Sequence, residues 1–310
     1  MLSKLFSPFK KIIYKDLGIK AFIVTRLHQH EIIETVFLRS GEVEIDITRR
    51  HSMICLDPFC VAIWLTPEQL TAINADRVMI FFKNGKKINA GISLNIIESI
   101  SVGSSVLLLY KAVHANNYQL NAFYRFLTLS FFLKNKTSTY QQRKFIAALY
   151  SYPRKVIAVS YKEPGYCNIF PMDIQGYIAE SGFYILGLRT SNIVLDKILA
   201  TKKLVVSDTD QADVSTIYSL GKHLSVSPPA IETLPFTTSN SELHGFPVPG
   251  FAASYKELEI IESRKLGYHM LLVAKVINAK ELRKDPSSIY HAHIFQFVKS
   301  GYKNITEEVY

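Results

Sequence analysis

The chain is written strand by strand. The stretches "ETVFLRSGEVEIDITR", "MICLDPFCVAIWL", "RVMIFFKNGKKINAGISL", "SSVLLLYKAV", "KVIAVSY", "FYILGL", "KLVVSD", "YHMLLVAKVINAKEL" and "AHIFQFVKSG" are β-branched or aromatic runs bounded by Gly, Asn, Asp or Pro. Such runs favour the pleated backbone, and their borders are residues that turn a chain. Helical patterns are fewer, chiefly "TPEQLTAIN", "NYQLNAFYRFL", "TYQQRKFIAALYS" and "SNIVLDKILATK". Many strands, short helices and no regular βαβ alternation predict a mostly β, α+β fold or a barrel.

With 310 residues, 48% of them hydrophobic, the chain can fill one large domain or two of ordinary size. Charge is uneven along it. Residues 1–150 hold 19 Lys/Arg against 10 Asp/Glu, a balance of +9, whereas residues 151–310 hold 17 against 16, a balance of +1. The segment "TSTYQQRKFIAALYSYPRK" reads as a boundary: a Thr/Ser start, a polar amphipathic helix, then Pro153 before the next strand. The expected units are a β-rich N-terminal domain of residues 1–145 and a second domain of residues 146–310. A weak internal echo sets the stretch from Val78 beside that from Val156, each with a strand, a Gly-bearing turn, an Asn (Asn89, Asn168), a second strand, a polar corner and a helix. The N-terminal half is therefore a candidate degenerate copy of the C-terminal half.

Several functions are excluded by what is missing. No helix-turn-helix, zinc-finger or RNP-type signature accompanies the basic half, so nucleic acid is not the expected partner. Cys55, Cys60 and Cys167 are too few for a disulfide framework and fit a reducing compartment. The opening "MLSKLFSPFKKIIYK" reads as a terminal helix or arm rather than a signal peptide. Lys111, His114 and Arg125 interrupt the most apolar stretch before it reaches the ~18–20 residues of a membrane span. The expectation is a soluble cytoplasmic protein. "HQHEIIE" from His28 has Glu34 where a zincin needs its second histidine. His291 and His293 share a strand face without an evident third ligand, and no metal is expected. There is no nucleophile elbow, Walker loop or G-x-G-x-x-G after a strand.

Two stretches remain that carry chemistry. After "FYILGL" comes "RTSN" and then the helical run "IVLDKILATK". Arg189, the hydroxyls of Thr190 and Ser191, Asn192 and the free amides of a helix start make a natural phosphate seat, or simply a capped helix with a surface arginine. The stretch "GYCNIFPMDIQG", from Gly165 to Gly176, neither alternates like a strand nor repeats like a helix. Around Asn168 and Pro171 it can offer backbone donors to the polar edge of a flat ring, with Phe170 and Met172 on the ring's apolar side. Its other reading is a bulge or loop packed under a strand.

From about Tyr152 to Gly301 the chain resembles the flavin reductase-like proteins with an FMN-binding split barrel. The resemblance lies in the ordered set "PRKVIAVSY", "GYCNIFPMD", "YILGLRTSN" and "HGFPVPGFAASYKELEIIESRKLGYHMLLVAKVINA". It implies that Asn168, Ile169, Phe170, Pro171, Met172 and Asp173 form the turn against which the isoalloxazine rests. It also implies that Arg189, Thr190, Ser191 and Asn192 hold the ribityl phosphate, and that His269 lies near the reacting ring. Tyr268 replaces the acidic residue usual before that histidine.

The fold implied is a C-terminal split barrel preceded by a β-rich domain. The function implied is an NAD(P)H-dependent flavin reductase or related oxidoreductase, with FMN as cofactor and the nicotinamide nucleotide as a transient substrate. The alternative is a split barrel that binds flavin or another phosphate-bearing ligand without turnover. Family members pair so that a partner's surface closes the pocket. A homodimer and an internal pseudo-dimer are the two ways for this chain to meet that need.

Overall fold

The computed structural model describes residues 22–118, 123, 140–222, 225–293, 302 and 307–309. The expected helix in "NYQLNAFYRFL", the arm at the N-terminus and most of "AHIFQFVKSG" lie outside them. The strand β1 (Phe22–His28) precedes two hairpins, β2 (Glu34–Ser40) with β3 (Val43–Asp46) and β4 (His51–Leu56) with β5 (Phe59–Leu65). A short helix α1 (Pro67–Thr71) leads to a meander of β6 (Arg77–Asn84), β7 (Lys87–Val102) and β8 (Ser105–Asn117). Helix α2 (Tyr140–Leu149) and the two-residue β9 (Arg154–Lys155) follow.

The pattern then returns. Hairpins β10 (Ile157–Glu163) with β11 (Tyr166–Met172) and β12 (Gln175–Ile178) with β13 (Phe183–Arg189) precede helix α3 (Val194–Thr201) and β14 (Lys203–Ser207). Helix α4 (Val214–Leu220) and the small pair β15 (Thr238–Asn240) and β16 (Pro247–Pro249) come next. The long hairpin β17 (Ser254–Leu266) with β18 (His269–Glu281), then β19 (Ser287–His293) and β20 (Glu307–Val309), complete the described chain.

The first seven-stranded sheet has the order β3-β2-β6-β7-β8-β5-β4 and the second the order β11-β10-β14-β17-β18-β13-β12. Setting β2 to β5 against β10 to β13, and β6, β7 and β8 against β14, β17 and β18, turns one order into the other without exception. Finer features follow the same mapping. The turns of the two long hairpins carry Gly103 (φ +58°) and Gly267 (φ +56°). Six residues before each glycine, one residue bulges from the ladder, Ile97 and Ile261; ten residues after, Val113 and Ile277 do the same. A bulge is a designed bend rather than noise, so two hairpins bent at matching places are one shape used twice.

This corrects the expected echo. Sheet order sets β2, not β6, beside β10, and places the partner of β6 at β14. A strand, turn, strand, corner and helix recur at several points of such a meander, so rhythm alone cannot choose the register.

The two sheets meet face to face through one buried cluster, to which Ile54, Trp64 and Leu107 come from the first and Ile185, Leu271 and Val273 from the second. Each such side chain contributes roughly 1.5–3 kcal/mol when fully buried. Each long hairpin turn rests on the short hairpin turn of the other sheet: Tyr268 N–H donates to Asp57 O at 3.0 Å, and Ser104 Oγ lies 3.0 Å from Ser181 Oγ. Arg264 bridges Glu98 and Glu262, which occupy matching positions in the two hairpins. A third sheet, β20-β1-β19-β9, ties the first described strand to the last. The fold is mostly β with few helices, as the sequence predicts, and among the described residues no helix is long and apolar enough to cross a membrane.

Candidate functional site

A cavity of about 640 Å³ opens at the seam between the two sheets. Met53 and Leu56 reach it from β4 of the first sheet, and all its other walls come from α2 onward. The first half of the chain therefore closes a pocket built mainly by the second.

One wall is β11. The stretch expected to be irregular is a regular strand there, paired from Tyr166 to Met172 with β10. It is the edge of its sheet, where a proline such as Pro171 is tolerated. The chain after α4 packs against that edge, with Gly221 beside the Pro171 ring. Asn168, Phe170, Pro171, Met172 and Asp173 line the cavity, whereas Ile169 is buried in the core and does not.

Another wall is the corner between β13 and α3. Arg189 ends the strand exposed, and among the described residues its guanidinium makes no ion pair or hydrogen bond. Thr190 ties the corner to the long hairpin turn, its N–H donating to Tyr268 O at 2.9 Å. The Asn192 carboxamide oxygen accepts from Val194 N–H at 3.2 Å just before the helix, although the N-cap position itself falls on Ile193, which has no side-chain cap. Arg189, Ser191 and Asn192 face the cavity; Thr190 does not line it.

The cavity also has a polar chain that sequence reading does not assemble, although it places Asp173 at the site. Tyr150 Oη donates to Asp173 Oδ2 at 2.5 Å, His291 Nδ1 meets the same oxygen at 2.8 Å, and Tyr218 Oη contacts His291 Nε2. With Nδ1–H given to the carboxylate, Nε2 is the acceptor for the tyrosine hydroxyl. Burial pushes the Asp173 carboxyl up, but the hydrogen bonds from His291 and Tyr150 and the Arg154 charge outweigh it and hold it below its ordinary value. Burial and the neighbouring Asp173 keep Tyr150 protonated. Arg154, delivered by β9, is itself buried and pushed down to about 10 by desolvation. These residues come from the ends of α2 and β11, from β9, from α4 and from β19, so no local spacing announces them. His291 stood out in the sequence only as half of an exposed-looking pair. In the structure it lines the cavity, while His293 is wholly buried and driven down to about 4 by desolvation.

His269 begins β18, where it is 2% exposed. Its Nδ1 is 3.6 Å from Cys55 Sγ, and its Nε2 has no hydrogen-bond partner among the described residues. Cys55 faces Cys60 across the β4–β5 ladder and also reaches Leu266 O. Cys60 is pushed up by that neighbour and by burial.

No family model and no curated protein matches the chain. Its structure is similar to parts of several solved ones. An NADH:FAD oxidoreductase of Streptomyces globisporus is 13% identical, with 49% of this chain and 90% of that chain covered at a TM-score of 0.44. An FMN-binding protein of Thermus thermophilus is 18% identical over 42% of this chain and 72% of that one, at 0.37. A flavoredoxin of Methanosarcina acetivorans is 15% identical over 42% and 69%, at 0.37. The kind of protein that the sequence resembles is thus met again among structures. Scores this low describe a likeness, and what the cavity is for rests on its own geometry.

Proposed function

We propose that the cavity binds FMN and that the chain is an NAD(P)H-dependent flavin reductase or a related flavoprotein oxidoreductase. The observation that carries this reading is Arg189: a cation without a partner among the described residues, at a strand-to-helix corner, lining a cavity large enough for a nucleotide-sized ligand. A terminal phosphate satisfies the guanidinium through charge-assisted hydrogen bonds, and Ser191 and Asn192 offer further polar groups beside it. Phe170 and Met172 supply an apolar wall for a flat ring, and the orphaned Nε2 of His269 is a buried polar atom that a ring heteroatom would satisfy.

When bound, FMN supplies a ring that accepts and returns a hydride. The chain's residues do the rest. Met53 and Leu56 exclude water from one side of the cavity. Asp173 fixes the tautomer of His291, which in turn holds the Tyr218 proton at the cavity wall for exchange with a bound substrate.

The N-terminal copy is read as the internal partner, with residues 1–145 and 146–310 as the two units and one flavin per chain. In the first sheet the matching corner is closed. Trp64 takes the place of Gly187, Thr66 that of Arg189, and α1 starts at once, its first turn capped by Thr66 and Gln69. Reconstitution with excess FMN, followed by gel filtration and absorbance, should give one flavin per chain. Bleaching by NAD(P)H without oxygen should follow. A protein that shows no flavin spectrum after this treatment would refute the reading.

A further inference from the structure

The stretch "HQHEIIE" fails as a zincin motif because Glu34 stands where the second histidine is required, but the fold gives His28 and His30 another partner. His28 ends β1 and pairs with Ser287, the first residue of β19. The turn leading into β19 is therefore held beside it, and Asp285 lies in that turn. Asp285 Oδ1 is 3.6 Å from His28 Nδ1 and 3.9 Å from His30 Nδ1. One donor atom from each of the three residues lies within 4.8 Å of the others. The two imidazoles stack with centroids 5.3 Å apart.

These separations are too long for hydrogen bonds. They approach the edge of a ligand tetrahedron, since bonds of about 2.0–2.1 Å place ligand atoms about 3.3–3.4 Å apart. His28 Nδ1 is shielded from solvent and makes no hydrogen bond among the described residues, which leaves its lone pair available. Glu31 is already engaged: its carboxylate accepts the His28 N–H at 2.6 Å and holds the turn that presents His30.

We propose that His28, His30 and Asp285 form a binding site for one Zn²⁺ ion, with water in the fourth position. Two imidazole nitrogens and one carboxylate suit zinc, whereas Mg²⁺ and Ca²⁺ require shells of oxygen. The exposed side chains of His30 and Asp285 leave the ion an open path. The ion would clip β1 to the start of β19, the strand that carries His291 into the cavity four residues later. Nothing in this site depends on the flavin.

The test uses the full chain, stripped with a chelator, dialysed and titrated with zinc chloride against a chromophoric competitor. Wild type is expected to take up one ion per chain and to melt at a higher temperature with zinc, while magnesium leaves it unchanged. Asp285→Ala and His30→Ala should each weaken binding tenfold or more. Both residues are exposed, so the metal-free variants should keep the wild-type circular dichroism; Asp285→Asn removes the charge with the shape retained if Asp285→Ala does not fold. Absence of saturable binding, or binding that survives both substitutions unchanged, overturns the proposal. Flavin affinity measured on the same samples stands apart from either result.

Discussion

Trp64 and Gly187 hold the same place in two sheets of identical strand order, and each meets the other sheet's short hairpin: Trp64 covers Gly176 in β12, and Gly187 lies under the Ile54 carbonyl in β4. A large ring in one copy and no side chain in the other make the seam lopsided. The cavity lies on the glycine side.

Gly187→Ala should therefore damage both fold and cavity. A Cβ there would come 2.4 Å from Ile54 O and 2.5 Å from Ile174 Cγ2, and a backbone carbonyl cannot swing aside. Destabilisation of roughly 1–3 kcal/mol is expected in urea unfolding. Displacement of β4, which carries Met53 and Leu56, should also lower FMN affinity.

Arg189→Ala should leave the melting temperature unchanged, because the side chain is exposed and unpaired among the described residues. FMN affinity should fall by ~1.5–3 kcal/mol, tenfold or more, in a fluorescence titration. Riboflavin, which has no phosphate, should bind both proteins alike. Equal loss for both ligands would remove Arg189 from the phosphate seat.

Tyr218→Phe should keep FMN binding while reducing turnover about 10²-fold, with an altered pH profile. Asp173→Asn tests the same chain through stability. The folded-state carboxyl is held below its ordinary value of 3.8, so its stabilisation is present above that pH and disappears as pH falls through the lower folded value. The gap between wild type and Asp173→Asn in unfolding free energy should be widest near neutrality and should close in acid.

Two buried histidines predict acid sensitivity. His51 is pushed down from 6.5 to about 3 by burial, aided by the Arg154 charge and opposed by the Ile47 carbonyl, and His293 is pushed to about 4 by burial. Each stays neutral when folded and takes up a proton when unfolded, so stability should drop as pH falls from 6.5 towards 4. For His293 the full effect is of order 3 kcal/mol. His293→Leu should flatten the slope of urea midpoint against pH, even if it alters the midpoint itself.

A chain beginning at Thr139 lacks the first sheet and would expose the face formed by Ile185, Leu271 and Val273. Self-association and loss of FMN affinity are expected in sedimentation and titration. A soluble fragment that binds FMN as tightly as the full chain would show that the N-terminal copy has no part in the site.

The strands were legible because their residues prefer the pleat whatever they pack against, and the Arg189–Asn192 corner because its residue types are local. The polar chain of Tyr150, Asp173, Tyr218 and His291 was not, since only folding brings it together. The duplication was hidden by arithmetic. Trp64 and Gly187 differ by 123 positions, whereas Gly103 and Gly267 differ by 164. Most of the change comes between β14 and β17, where the second copy carries α4, β15 and β16 and the first has only a tight turn between β6 and β7. No constant offset aligns the copies, and the insertion includes Tyr218, a wall of the cavity.

Covalent linkage of the two sheets makes their meeting a unimolecular event. A pocket shared between separate subunits falls apart on dilution as the subunits do, but here the closing surface is tethered at high effective concentration. Met53 and Leu56 therefore remain over the cavity at any protein level. Because each half is encoded once, a residue such as Trp64 shapes a single side of the seam, a freedom denied to identical subunits, in which every residue is present twice.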